Sequence, residues 1–287
     1  MAALRDYLSL VKFSHTIFAL PFALVGLGLG FRDSALFDPL KLVWVLLCMI
    51  TARNAAMAFN RWQDRRIDAA NPRTALREIP AGVIRPSQAL AFVVLNCFLF
   101  IGSAALINKL CFLLAPVALA VILGYSYTKR FTALCHFVLG LGLGLAPVGA
   151  YIAVTEVFSG SILLLGSVVV TWVAGFDIIY ALQDEDFDRG QQLFSIPAAL
   201  GRVGALRLSW GVHLLTAGLM LTFVWLSSVH WLVWSGALVF VGLTLYQHLL
   251  VSARDLSRVN LAFFTTNGIA SLIFGIFSLT GIWLQSQ

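Results

Sequence analysis

LKLVWVLLCMITARNAAMAFNRWQDRRIDAANPRT, residues 40 to 74, opens as a run of large apolar side chains and closes in a dense mixture of acids and bases. The apolar part is long enough to cross a bilayer core, which takes roughly 20 helical residues. From Asn60 onward the stretch gathers Arg61, Asp64, Arg65, Arg66, Asp68 and Arg73, in a chain that is 60% hydrophobic and only 11% charged. A helix that leaves the membrane into so mixed a cluster decides the fold class and poses the functional question: why are acids there at all?

Outward from this stretch the pattern repeats. The 287 residues have a mean hydropathy of +0.91, too apolar for a soluble globule. Breaks made by charge, Pro and Gly divide the chain into nine expected spans near 13–31, 40–62, 89–107, 109–126, 132–155, 161–183, 205–227, 229–251 and 261–284. All should be helices, because lipid cannot satisfy an open sheet edge. The expected architecture is therefore an all-α polytopic membrane protein, one domain over 1–287. The first apolar run follows Arg5 and Lys12 and lacks a small-residue cleavage site, so it reads as a retained helix and not as a signal peptide. Cys48, Cys97, Cys111 and Cys135 stand singly in or beside spans, which points away from thiol chemistry and structural zinc.

The net charge of +6 gains meaning when mapped onto loops. Arg5, Lys12, Arg61, Arg65, Arg66, Arg73, Arg77, Arg85, Lys129, Arg130, Arg189, Arg202, Arg207, Arg254 and Arg258 fall on one side of the nine-span arrangement. Arg32, Lys41 and Lys109 fall on the other, and Arg53 lies within the second span. The bias places the N-terminus and the large loops in the cytosol, as for a bacterial inner-membrane protein. This excess of bases addresses the bilayer and small anions, not nucleic acid.

Membrane orientation does not require acids. Asp64, Asp68 and Glu78 follow the second span, and Asp184, Glu185, Asp186 and Asp188 follow the sixth. Asp64 and Asp184 are 120 positions apart, four spans on, which suggests two related four-helix halves plus one helix. Asn60, Asp64 and Asp68 recur at every fourth position and share a helical stripe, and Asp177, Tyr180, Asp184 and Asp188, spaced three, four and four apart, follow the same logic at the end of the sixth span. Both stripes are expected to face one cytosol-facing space. Neighbouring carboxylates repel, so such an arrangement calls for cations. Mg²⁺ suits it, since that ion prefers oxygen ligands, keeps waters, and bridges carboxylates to substrate phosphates. Arg65, Arg66, Arg73, Arg77, Lys129 and Arg130 could meet the remaining phosphate oxygens.

A diphosphate at the charged mouth and a hydrocarbon tail in the apolar volume behind it describe a polyprenyl diphosphate. Arg53 precedes Asn60 by seven residues, about two turns deeper on the same stripe. A charge at that depth faces a cavity or a partner, either the carboxylate of a second, aromatic substrate or Asp177.

These residues resemble the UbiA-type intramembrane aromatic prenyltransferases over nearly the whole chain. The most specific matches are Asn60-x3-Asp64-x3-Asp68 followed by NPRTALREIPAG (71–82), and GFDIIYALQDEDFDRG (175–190). YSYTKRFT (125–132) resembles the family's basic segment after the fourth helix. The resemblance implies a single nine-helix bundle of two related halves, with cytosolic caps near 63–88 and 184–204. It implies that Asp64, Asp68, Asp184 and Asp188 hold Mg²⁺ on the diphosphate with Asn60 assisting, and that Arg77, Lys129 and Arg130 contact the diphosphate. Arg53 matches an arginine seven residues before the family's Asn. Glu78 departs from the pattern, standing where many members have Pro. KFSHTIFALPFALVG (12–26) and TARNAAMAFNR (51–61) look closest to the bacterial quinone-pathway branch, called 4-hydroxybenzoate polyprenyltransferases. Similar sequences serve menaquinone synthesis by the futalosine route, with a dihydroxynaphthoate as acceptor.

The chemistry so implied is loss of diphosphate from the allylic carbon and attack by the ring carbon beside the phenol, with Tyr125 and Tyr180 as wall or phosphate-bonding candidates and His15 as a candidate for the acceptor pocket. A secondary transporter of an anionic metabolite is the competing class. It would place binding groups near the midplane in inverted repeats, whereas these acids cluster at one face in halves that read as parallel. GLGLG (26–30) and GLGLGLAPVG (140–149) lead into no Lys-Ser or Lys-Thr pair, so they read as close-packing surfaces and not as phosphate cradles. His136, His213, His230 and His248 lack ligand spacing and read as interfacial or internally satisfied.

Overall fold

The computed structural model of the chain describes residues 4–11, 18–35 and 37–285. Lys12 and His15 lie outside the described residues. All regular structure among the described residues is helical: α1 (Leu4–Leu10), α2 (Leu20–Ser34), α3 (Pro39–Gln63), α4 (Arg65–Ala70), α5 (Pro86–Ile107), α6 (Lys109–Thr128), α7 (Cys135–Thr155), α8 (Gly160–Ala181), α9 (Glu185–Gly190), α10 (Ile196–Leu226), α11 (Trp231–Leu250), a π-helical turn at Leu261–Thr266, and α12 (Asn267–Gln285).

Eight of the helical stretches are long and apolar enough to cross a membrane. They coincide with the last eight expected spans, and the chain is an integral multi-pass membrane protein. The first expected span, 13–31, overlaps α2, which has 15 residues and follows positions outside the described part.

Local chemistry explains where the helices break. Asn108 is extended, and its Oδ1 accepts from the Cys111 amide at 2.7 Å, so one residue ends α5 and caps α6. His230 Nδ1 accepts from the Leu232 amide at 3.3 Å at the start of α11. The largest departure from expectation is α10, which starts at Ile196 and not near 205. Ser195 caps it, Pro197 suits its first turn, and Gly201, at φ 69° and ψ 170°, lets the chain bend before the long apolar part begins.

The helices form two compact units. One contains α1 and α3 to α6, and the other contains α2 and α7 to α12. In the first, α3 lies along α5, and Leu10, Ala58, Ile79, Ile84, Ala89 and Val93 form its buried cluster. The loop after α4 thus contributes core residues as well as charge.

In the second unit α2 packs along α7, and α7 along α8. A Cβ on Gly26 would collide with the Pro147 carbonyl, and one on Gly140 with the Val170 carbonyl. The glycine-rich runs therefore bring backbones together, as small residues do between membrane helices. Phe18, Phe22, Trp172, Phe176, Phe240, Phe263 and Phe274 interlock by tilted and edge-on contacts, with centroids 5.1 to 6.5 Å apart. Lipid tails are as apolar as these rings, so it is dispersion and ring geometry, about 0.5–1.5 kcal/mol per aromatic pair, that favour this packing. Trp172 Nε1 donates to Asn267 Oδ1 at 2.9 Å, which satisfies the one polar atom of the ring.

Candidate active site

The first acidic ladder lies in the first unit. α3 ends at Gln63, Asp64 adopts φ −91° and ψ 7°, and the six-residue α4 follows. The Asp64 amide donates to the Asn60 carbonyl at 2.9 Å and the Asp68 amide to the Asp64 carbonyl at 2.7 Å, so the four-residue rhythm survives the break. Asn60 Nδ2 donates to Asp64 Oδ2 at 3.1 Å, which aligns these two side chains. Asp68 is 5% exposed. Its Oδ1 accepts from Arg77 Nη1 at 2.8 Å, and the Thr74 hydroxyl donates to its carbonyl at 3.0 Å. Asp68 Oδ2 is buried and has no hydrogen-bond donor. Leaving such an oxygen bare is costly, and it fits a cation.

The bases around this ladder divide by task. Arg77 holds Asp68. Arg65 lies over the Trp62 ring at 4.9 Å and donates to the Trp62 carbonyl at 2.6 Å, while Arg66 and Arg73 are exposed. Buried Arg61 donates to Glu78 Oε2 at 3.0 Å, and the Ser9 hydroxyl donates to Glu78 Oε1. Glu78, the departure from the family pattern, thus neutralises an internal arginine and ties α1 to the loop. Arg53 Nη2 donates to the Val11 carbonyl at 3.5 Å. Tyr125 lies near the end of α6, partly buried.

The second ladder lies in the second unit and repeats the local construction. α8 ends at Ala181 and a single tight turn covers Leu182–Asp184. Asp184 takes φ −105° and ψ 5°, close to Asp64, and the six-residue α9 follows. Asp188 is fully buried. Its Oδ1 lies 2.7 Å from Lys129 Nζ, and its Oδ2 accepts from the Ser195 hydroxyl at 2.9 Å. In each ladder the last aspartate is therefore buried and paired with one base, Arg77 or Lys129. Asp184 is buried and Arg130 exposed. Glu185 takes Arg189 and Arg202, each at 3.1 Å, and so holds the turn to α10. Tyr180 packs against Phe263 in a tilted contact with centroids 4.1 Å apart.

Asp177 is occupied by a residue that sequence spacing did not single out. His136 Nδ1 lies 2.7 Å from Asp177 Oδ2, and the Ile196 amide donates to His136 Nε2 at 3.3 Å. No sequence pattern joins positions 41 apart on different helices. Ser195 carried a legible signal, a serine two residues before a proline at a helix start, but the segment 184–204 around it reads as a cap loop.

Among the described residues, no group of three or more His, Cys, Asp or Glu is placed to enclose a metal alone. Two carboxylates per ladder fit instead an ion that completes its shell with water and phosphate, as Mg²⁺ does. Each ladder offers two carboxylates, one where the long helix ends and one a turn further on that is buried beside a base. That set can bind a hydrated divalent ion and counter the charge of a phosphorylated ligand.

Comparison with known proteins identifies a family and a fold. Residues 19–269 match the family model described as the UbiA prenyltransferase family. The 4-hydroxybenzoate octaprenyltransferase of Aliivibrio fischeri (strain MJ11) is 30% identical over 241 residues, covering 81% of each chain. Among solved structures, the apo form of a UbiA homolog from Aeropyrum pernix K1 is 34% identical with a TM-score of 0.78, covering 95% of this chain and 98% of that one. A UbiA homolog from Archaeoglobus fulgidus, bound to GPP and Mg²⁺, shares the fold with a TM-score of 0.73 at 21% identity, covering 97% and 99%.

Proposed function

The chain belongs to the UbiA prenyltransferase family, and on that premise we propose that it transfers a polyprenyl group from a polyprenyl diphosphate to a ring carbon of an aromatic acid resembling 4-hydroxybenzoate, in quinone biosynthesis. The observation that carries the reading is the matched pair of ladders, in which Asp64 and Asp184 share a backbone conformation and Asp68 and Asp188 are each buried beside a base. The curated relative named for 4-hydroxybenzoate supports the acceptor class. The Archaeoglobus homolog, bound to GPP and Mg²⁺, supports the donor and the metal.

In this reading the chain works as one domain in a bacterial inner membrane, with segments 63–88 and 184–204 as cytoplasmic caps. Asp64, Asp68, Asp184 and Asp188, with Asn60 assisting, would hold Mg²⁺, which when bound stabilises the charge growing on the departing diphosphate. Arg77 and Lys129, now counter-ions of Asp68 and Asp188, would turn toward phosphate oxygens, and Arg130 would join them. The allylic carbon–oxygen bond breaks and its electron pair leaves with the diphosphate. The ring carbon beside the phenolic hydroxyl then forms the new carbon–carbon bond, and the proton it carried is released. Arg53 would meet the carboxylate of the acid, and Tyr125, Asp177 and Tyr180 would line the substrates and exclude water.

Membranes containing the protein, incubated with Mg²⁺, a labelled polyprenyl diphosphate and a panel of hydroxybenzoates and dihydroxynaphthoates, should yield an aromatic acid heavier by one prenyl group. Absence of any prenylated product, with flux of an anionic metabolite through sealed vesicles, would replace the enzyme by a transporter.

A further inference from the structure

We propose that His136 is a positioning residue for the second acidic ladder, a role that rests on the reading of Asp184 and Asp188 as holders of the metal and diphosphate. His136 stands in the first turn of α7 and is 2% exposed. Both ring nitrogens are engaged. The Ile196 amide can only donate, so Nε2 is the acceptor in that 3.3 Å bond. The ring proton then resides on Nδ1 and is donated to Asp177 Oδ2 at 2.7 Å. The ring bridges a carboxylate and a backbone amide, so both nitrogens are occupied.

The amide it holds belongs to the segment that shapes the far end of the ladder. The Leu193 amide donates to the Asp188 carbonyl at 2.8 Å, and the Phe194 amide to the Lys129 carbonyl at 2.7 Å. The Ser195 hydroxyl donates to Asp188 Oδ2 at 2.9 Å while accepting from the Ala198 amide at 3.3 Å. Residues 193 to 196 thus knit together Asp188, its counter-ion and the start of α10, and His136 anchors the last of them. One side chain fixes Asp177 directly and Asp188 through Ile196 and Ser195, which are the two ends of the ladder. Outer partners of this kind orient the oxygens that meet a metal without touching it.

The test uses the purified full-length protein and three variants. His136→Leu removes both bonds; Gln keeps an acceptor within reach of the Ile196 amide; Asn keeps a donor toward Asp177 but is too short for Ile196. His136→Leu and His136→Asn should raise the Mg²⁺ half-saturation and the KM for prenyl diphosphate about tenfold, with Gln staying within about threefold of the parent. Hydrogen exchange at 193–198, read without substrate, should accelerate in Leu and Asn and not in Gln. A purely structural role would lower the melting temperature and the active fraction and leave both constants unmoved, and that result in Leu or Asn overturns the proposal. Unchanged exchange in all three variants overturns it as well. A parent protein with no Mg²⁺-dependent transfer would instead defeat the proposed function, while the exchange pattern would still decide whether His136 anchors the segment.

Discussion

Replacing Ser195 by alanine removes a single oxygen that performs two tasks. Its hydroxyl donates to Asp188 Oδ2 at 2.9 Å, and both side chains are fully buried. A hydrogen bond to a charged acceptor contributes about 1.5–3 kcal/mol. The same oxygen caps α10 through the Ala198 amide, but at 3.3 Å, so that contribution belongs near the low end, about 0.5–1 kcal/mol. The sum is about 2–4 kcal/mol of lost stability, with the larger share depending on the Asp188 carboxylate. A double-mutant cycle separates the two. In an Asp188→Ala background the same Ser195→Ala change should cost only the cap, about 0.5–1 kcal/mol, leaving a coupling energy of about 1.5–3 kcal/mol. The assay is reversible unfolding of the four proteins in mixed detergent micelles. Equal costs of Ser195→Ala in both backgrounds, within about 0.5 kcal/mol, would refute the link between cap and carboxylate.

Two further outcomes follow from the packing of the second unit. Asn267→Ala should destabilise by about 2–4 kcal/mol in the same assay, since it strips Trp172 Nε1 of its acceptor and the Ala262 and Phe263 carbonyls of a donor. Gly26→Leu should abolish detergent-stable protein in size-exclusion chromatography, because the Pro147 carbonyl occupies the space a side chain would need.

The apolar runs made most of the helices legible, because spanning a bilayer imposes length and composition on each segment separately. The ladders were legible for a related reason: Asn60, Asp64 and Asp68 lie four apart, and the hydrogen bond from Asn60 to Asp64 is a short-range consequence of that spacing. What stayed hidden depends on contacts between helices. His136 meets Asp177 only because α7 packs on α8, and nothing at position 136 announces it. The early start of α10 was masked for a different reason, since Gly201 and the polar residues near it read as loop when they in fact bend a helix. Glu78 stood out as a departure, but its purpose required seeing that Arg61 is buried beside it.

In the proposed function the two ladders act on one metal-bound diphosphate. Equilibrium binding of radiolabelled geranyl diphosphate to the purified protein, with and without Mg²⁺, tests it in four proteins: the parent, Asp64→Asn, Asp184→Asn and the double variant. The parent should bind in an Mg²⁺-dependent way, and either single variant should lose binding as completely as the double. Binding that survives undiminished in one single variant, or that is indifferent to Mg²⁺ in the parent, would contradict it.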